Sequence, residues 1–420
     1  MRRIVVLTLA LVLILVLMNR LRRSPSAPPD GVTGSATSVT EAGNGSDQQV
    51  LVRSGIEASL GLEAQAALRR GGAWLLTQQN EAGYWSNSGF PALTGLALWA
   101  LISADAADEA AVDRAVNYLL SCVHEDGSIY MEPDEERKGG GLPNYNTALS
   151  MVALHALGNP DLLPVVQSAR AYVAQSQHMG GDLYEGGMGY DPDTGRVYAD
   201  LSNSYLAYEA MRLTERVGDI RDSGQHDDLD WDAAIRFIER VQNRPESNDQ
   251  AWASDDEAEY GGFAYRPDDS QAGAYTDEEG VQRLRSYGSM TYAGLLSFIY
   301  AQVDRSDPRV QSAFDWTLRN WSLEENPGMG DQGLYYYYHT MAKALAVYGQ
   351  EIIPLADGRL LNWRTEMVRK LVSLQRIDPE TGHGYWLNEE GRWWEADPVL
   401  VTSYALIALA TTMNDAAPSL

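Results

Sequence analysis

The sequence predicts an all-α protein built as a closed double ring of six helical hairpins, an α6/α6 toroid, and three observations carry that prediction. Two kinds of helical stretch alternate six times between residues 60 and 413. A Gly-aromatic turn recurs where the first kind gives way to the second. Aligned on their small apolar residues, the six stretches of the second kind share a hydroxyl at one position: Thr94, Thr147, Ser204, Thr291, Thr340 and Thr402.

Stretches of the first kind, residues 62–78, 109–122, 162–175, 231–242, 309–321 and 363–375, carry apolar residues at helical spacing and charges on the opposite face. Those of the second kind, residues 91–103, 143–157, 200–213, 286–301, 334–348 and 398–411, are apolar or small nearly all round. A helix of that type is enclosed on every side, so the second set forms the inner ring and the first set the outer. The shared hydroxyls are expected to bond back to their own helix carbonyls where helices pack closely. The turns Gly83-Tyr84-Trp85, Gly186 to Tyr190 and Gly261 to Tyr265 use glycine for positive φ and an aromatic ring to cover the next helix start. Insertions, the longest at residues 249–282, hang from this same end, which in a repeat ring is usually the binding face.

Outside the ring, Met1-Arg2-Arg3 precedes an apolar run over residues 4–18, with Arg20, Arg22 and Arg23 behind it. This is the charged start and hydrophobic middle of an export signal. No small-residue cleavage site follows directly, so over residues 1–23 an uncleaved membrane anchor is favoured over a removed signal; the toroid is expected to be extracytoplasmic, membrane-anchored or secreted. Residues 24–59, rich in Ser, Pro, Gly and Thr, predict a flexible linker, and residues 414–420 a tail. The net charge of −26 repels phosphate backbones and excludes nucleic acid as a partner. Cys122 is the sole cysteine, which rules out an intrachain disulfide and a cysteine-rich metal site. No cofactor and no metal are expected.

Arg70-Gly71, Trp74-Leu75, Gln79, Gly83 and Trp85 resemble the Gln-Trp repeat of squalene and hopene cyclases. Tyr118-Leu119 with Gly127, and Gln375 with Gly384-Tyr385-Trp386, look like degraded or extended copies. The resemblance implies the α/α toroid shared by triterpene cyclases and protein prenyltransferase β subunits, present here as one toroid. Those cyclases begin their reaction with Asp-x-Asp-Asp-Thr-Ala at an inner-helix start, which falls on Asp200-Leu201-Ser202-Asn203-Ser204-Tyr205. Only the first Asp is present, and Ser202 cannot supply the strong acid that alkene protonation needs. The prenyltransferase branch binds zinc through an Asp-x-Cys pair and a His. His339-Thr340 matches the last element, but Arg285 and Tyr287 occupy the other two positions, and these do not make a zinc site. Asp255-Asp256-Glu257-Ala258-Glu259 superficially resembles a diphosphate-binding motif, yet it lies among glycines and predicts a solvated acidic loop. Asp228, Asp230 and Asp232 precede an outer helix and are expected to cap and solvate it.

The inner-helix starts converge on one mouth. Asp200, His339 and Tyr338 are the candidate catalytic residues there, with Asn144, Tyr145, Asn146, Ser202, Asn203, Tyr205, Tyr287, Tyr335 and Asp397 as candidate substrate contacts. Converging helix dipoles favour a negative group at such a mouth. The plainer alternative is that Asp200 and Asp397 are N-caps and the tyrosines fill the barrel. Three functions follow as alternatives. The toroid binds, and in some form transforms, an isoprenoid or other lipid near a membrane. It acts on carbohydrate, with Trp252, Trp386, Trp393 and Trp394 as stacking platforms. Or it is a solidly packed interaction scaffold.

Overall fold

Inner and outer helices differ in how they are held, and that difference shapes the mouth of the ring. The computed structural model describes residues 56–134, 139–192, 198–218 and 228–414. The anchor expected at residues 1–23, most of the linker and residues 415–420 lie outside the described residues. No described helix is long and apolar enough to cross a membrane.

Numbered in chain order, the outer helices are α1 (Ala58–Thr77), α3 (Glu109–Ser121), α5 (Leu163–Gln175), α7 (Trp231–Arg240), α9 (Pro308–Arg319) and α11 (Trp363–Leu374). The inner ones are α2 (Pro91–Ser103), α4 (Pro143–Ala156), α6 (Leu201–Leu213), α8 (Gly288–Tyr300), α10 (Leu334–Tyr348) and α12 (Pro398–Met413). Each inner helix packs on the next, and α12 closes on α2. The outer helices lie against this ring, with α1 touching both α11 and α12. The fold is thus an α/α toroid, and α1 begins two residues inside the expected linker.

The shared hydroxyls do more than bond to their own helices. Ser204 and Thr291 donate to the carbonyls of Asp200 and Tyr287, at 2.6 and 2.9 Å. They also accept the turn amides of Met188 and Phe263, at 2.9 and 3.2 Å. Thr94, Thr147 and Thr402 likewise accept the amides of Trp85, Ile129 and Trp386. Among the described residues Thr340 bonds to helix carbonyls alone, those of Tyr336 and Tyr337. Five of the six hydroxyls are therefore latches that seat a turn on its inner helix.

Glutamines tie neighbouring hairpins together around the outside. Gln79 Nε2 donates to Gly83 O and to Ala111 O in α3. Gln177 Nε2 donates to Gly186 O and Asp230 O, and Gln242 Nε2 to Gly261 O and Arg309 O. The last one, Gln375, donates to Ala67 O and accepts from Arg70 Nε, which fastens α11 to α1 and shuts the ring. Gly186 shows why glycine is needed at these turns: its φ is +94°, and a Cβ there would lie 1.9 Å from the Ala233 carbonyl.

Short antiparallel hairpins decorate the ring, among them β1 (Ala274–Thr276) with β2 (Gln282–Leu284) at the end of the long insertion. The acidic loop before it is not wholly solvated as expected. Glu259 is buried and accepts the Ser286 amide at 2.6 Å, so it pins the insertion to the start of α8. Asp230 caps α7 by accepting from the Ala233 amide, as its position ahead of that helix suggests.

Candidate ligand cavity

The barrel is filled at its waist and hollow at its mouth. At the waist Lys343 pairs with Glu209 at 2.9 Å, and both side chains are almost completely buried. Tyr300 donates to the same carboxylate at 2.8 Å, and Tyr205 lies 3.4 Å from it. The Lys343 ammonium also sits 4.1 Å from the centre of the Trp99 ring. Burial lowers the pKa of Lys343, and Glu209 pulls it back up.

At the N-terminal ends of the inner helices a cavity of about 250 Å³ opens, and all six helices or their first residues line it. Ala92 and Leu93 come from α2, Tyr145 from α4 and Ser202 from α6. Tyr287, Ser289 and Met290 come from the start of α8, Tyr336 from α10, and Leu400 and Tyr404 from α12. Loops complete the rim with Phe90, Tyr190, Tyr265, Gln271, Trp393, Trp394 and Glu395. The lining is mainly apolar and aromatic, with few polar groups, as small-molecule sites generally are.

Trp393 and Trp394 form a strap over the opening. Both have positive φ, +56° and +69°, an unfavourable conformation for a bulky residue. Four contacts hold the strap. Trp394 packs edge-on against Phe90 with ring centres 4.8 Å apart, Arg392 stacks 4.3 Å over Trp393, and Arg392 bonds to Gln271 and Gln332. Gly333, also at positive φ, leaves room for the Trp393 ring against α10.

The helix starts around the mouth are capped from within the protein. Asn146 Oδ1 accepts the Ala92 amide of α2, and Asn326 Oδ1 the Ser289 amide of α8. Glu395 accepts the Tyr335 and Tyr336 amides of α10 at 3.2 and 2.7 Å, plus the Asn388 amide side chain at 2.6 Å. Asp200 caps α6 through the Asn203 amide, and Asp397 caps α12 through the Val399 amide. At α4 no side chain caps the start, and the Asn144 amide bonds to the Tyr190 carbonyl instead; the crown expected to attract an anion is thus met from within the protein at all six helices, by side chains at five.

Three of the sequence candidates, Tyr145, Ser202 and Tyr287, line the cavity. Asn146, Asp200 and Asp397 are the caps just described. Asn203 donates to Asp200 Oδ2, and Asn144 to Gly189 O. Tyr205 belongs to the waist. Tyr338 donates to the Leu323 carbonyl at 2.6 Å, and Tyr335 packs edge-on against Tyr338. His339 is buried between Trp99 and Tyr404, one layer beneath the cavity. Burial, reinforced by Lys343, holds its pKa well below the usual histidine range and keeps it neutral.

Asp200 sits just behind the wall. Burial pushes its pKa up to about 6, against hydrogen bonds from Asn203, Tyr265 and the Ser202 amide. Tyr265, which bonds to Asp200, also lines the cavity, so Asp200 is linked to the cavity through a tyrosine. Glu395 is also raised by burial and opposed by its amide donors. The sequence reading missed Glu395 and Tyr336. Both are unremarkable in the chain and become part of the site only through the closing of the ring.

No family model matches this chain, and no curated protein does. Among solved structures, it is similar to a variant of type II terpene cyclase MstE from Scytonema in complex with geranylgeranyl dihydroxybenzoate. The identity is 13%, the match covers 84% of this chain and 97% of that one, and the TM-score is 0.47. A second variant of that cyclase, in complex with merosterolic acid A, is 12% identical over 84% of this chain and 97% of its own, at a TM-score of 0.48.

Proposed function

We propose that the toroid binds an apolar, isoprenoid-type ligand in the cavity at its mouth. The observation that carries this reading is the cavity itself: a mainly aromatic chamber built by all six inner helices over a filled waist. Its volume of about 250 Å³ falls at the lower end of ligand pockets, roughly 300–1,000 Å³, and favours a short chain or one that projects past the strap. The hollow mouth argues against a solid scaffold. Two of the tryptophans considered for sugar stacking are committed elsewhere. Trp386 is fully buried and donates to Leu371 O, and Trp252 donates to Pro267 O.

Binding is favoured over cyclisation begun by protonation. Such a step needs a carboxylic acid whose proton faces the alkene. Ser202 is what the wall presents at the family's acid position. Asp200 and Glu395 both spend their oxygens accepting hydrogen bonds, as carboxylates do. With residues 1–23 as an anchor, the toroid would meet its ligand at a membrane surface outside the cytoplasm.

The test is quenching of tryptophan fluorescence in the purified protein by farnesol, geranylgeraniol, squalene and an oligosaccharide. Saturable binding of a prenol, weakened about tenfold in Trp394→Ala by loss of buried aromatic contact, is expected. Saturation by the oligosaccharide alone, or by none of the four, overturns the reading.

A further inference from the structure

The electrostatics of the cavity are one-sided. Aromatic faces surround it, and its lining contains no lysine or arginine. Glu395 contributes to the wall, and Asp200 lies behind Tyr265. Neither carboxylate has a basic side chain within ion-pair distance among the described residues. The waist shows the contrast, because there the buried Glu209 is matched by Lys343. The negative field of Asp200 reaches Tyr190, Tyr265, Tyr287 and Tyr336, all of them lining residues, and helps to raise their pKa values. Arg392 at the rim opposes this field at Tyr287. Its side chain is exposed, and water and salt screen it.

A purely hydrocarbon ligand needs no such field. Aromatic faces and nearby carboxylates are the means by which proteins hold organic cations in a dry site. We propose that the natural ligand of this cavity carries a positive centre, a quaternary or protonated amine on an isoprenoid-like skeleton. The proposal rests on the reading of the cavity as a site for an apolar ligand and specifies its charge. Helix-start amides stabilise the two carboxylates without neutralising them, so the cavity keeps a negative potential for the ligand to meet.

The experiment compares two probes of equal shape on the native protein by fluorescence titration: farnesyltrimethylammonium, and its neutral isostere with carbon in place of nitrogen. The cation is expected to bind at least about tenfold more tightly. That preference should shrink in Glu395→Gln, which keeps an acceptor for the α10 amides. It should also shrink in the native protein between pH 7 and pH 5, as Asp200 takes up a proton while the probe keeps its charge. The groups facing Asp200 over this range are Asn203 and Tyr190, Tyr198, Tyr265, Tyr287 and Tyr336. Those facing Glu395 are Asn388, Tyr335, Tyr338 and Tyr404. None of these tyrosines ionises between pH 5 and 7. If Glu395→Gln fails to fold, the pH comparison on the native protein decides alone. Equal affinity for the two probes, or tighter binding of the neutral one, overturns the inference and leaves the apolar site standing. Binding of neither overturns both.

Discussion

Replacing Gln177 by alanine tests whether the glutamine ties hold the ring together. The side chain is buried, and it donates to Gly186 O at 2.9 Å and to Asp230 O at 3.1 Å while accepting the Asp230 amide at 2.8 Å. Truncation removes all three bonds at once. A net hydrogen bond is worth about 1 kcal/mol, and a buried group left unmade costs somewhat more. The two bonds to Asp230 are only partly buried, so water can replace part of what they lose. The expected loss is about 2–3 kcal/mol. Gln177→Glu sharpens the test. One oxygen can still accept the Asp230 amide, but the other then faces two carbonyls with no proton to offer, so the loss should match or exceed that of alanine. Urea unfolding followed by far-UV circular dichroism reads both variants. Gln78→Ala, at an exposed glutamine outside these ties, is the control and should fall within about 0.5 kcal/mol of the native protein. A Gln177→Ala protein as stable as that control, or a Gln177→Glu protein more stable than Gln177→Ala, would refute the argument.

Three further outcomes follow from the same geometry. Gly186→Ala combines a positive φ with a Cβ 1.9 Å from Ala233 O, and should destabilise by about 3 kcal/mol or more, read as a lowered urea midpoint. Asp200 has a pKa raised from 3.8 to about 6 on folding, so the native state holds its proton more tightly and ionisation opposes folding. Relative to Asp200→Asn, the native protein should therefore lose roughly 2.5 kcal/mol of stability as pH rises from about 4 to 7, and a flat difference across that range would contradict the burial of this carboxyl. Lys343→Met leaves Glu209 buried without its cation and should cost about 3–5 kcal/mol, while Lys343→Met with Glu209→Leu should recover most of the loss in thermal melts. A double variant worse than the single one would show that the pair is more than self-neutralising.

The sequence made the ring legible because the ring is a local property repeated. Helical spacing on the outer stretches and all-round apolarity on the inner ones are set within a dozen residues, and their alternation leaves few other ways to pack. Caps taken from the same turn were also visible, as at Asp200, Asp230 and Asp397. Caps taken from a neighbouring hairpin were not. Asn146 serves a helix 54 residues earlier, and Glu395 one 60 residues earlier. The run Tyr335 to Tyr338 shows a second limit. Four tyrosines in succession span a full helical turn, so one degree of freedom, the phase of α10, decides which faces the cavity. The sequence reading favours Tyr335 and Tyr338, whereas the structure puts Tyr336 in the wall. The hydroxyl row illustrates the reverse case: its regular spacing was plain, and its use as a latch needed the turns in place.

The bond from Gln375 to Ala67 joins the last outer helix to the first just as the bond from Gln177 to Asp230 joins two successive hairpins. A ring closed in this way has no privileged beginning. The order in which the six hairpins are encoded is then largely a matter of genetics, because each would meet the same two neighbours wherever translation started. Joining the ends of the toroid by a short peptide and opening it instead between Glu125 and Asp126, the exposed tip of the turn after α3, should return the same molecule with its cavity intact.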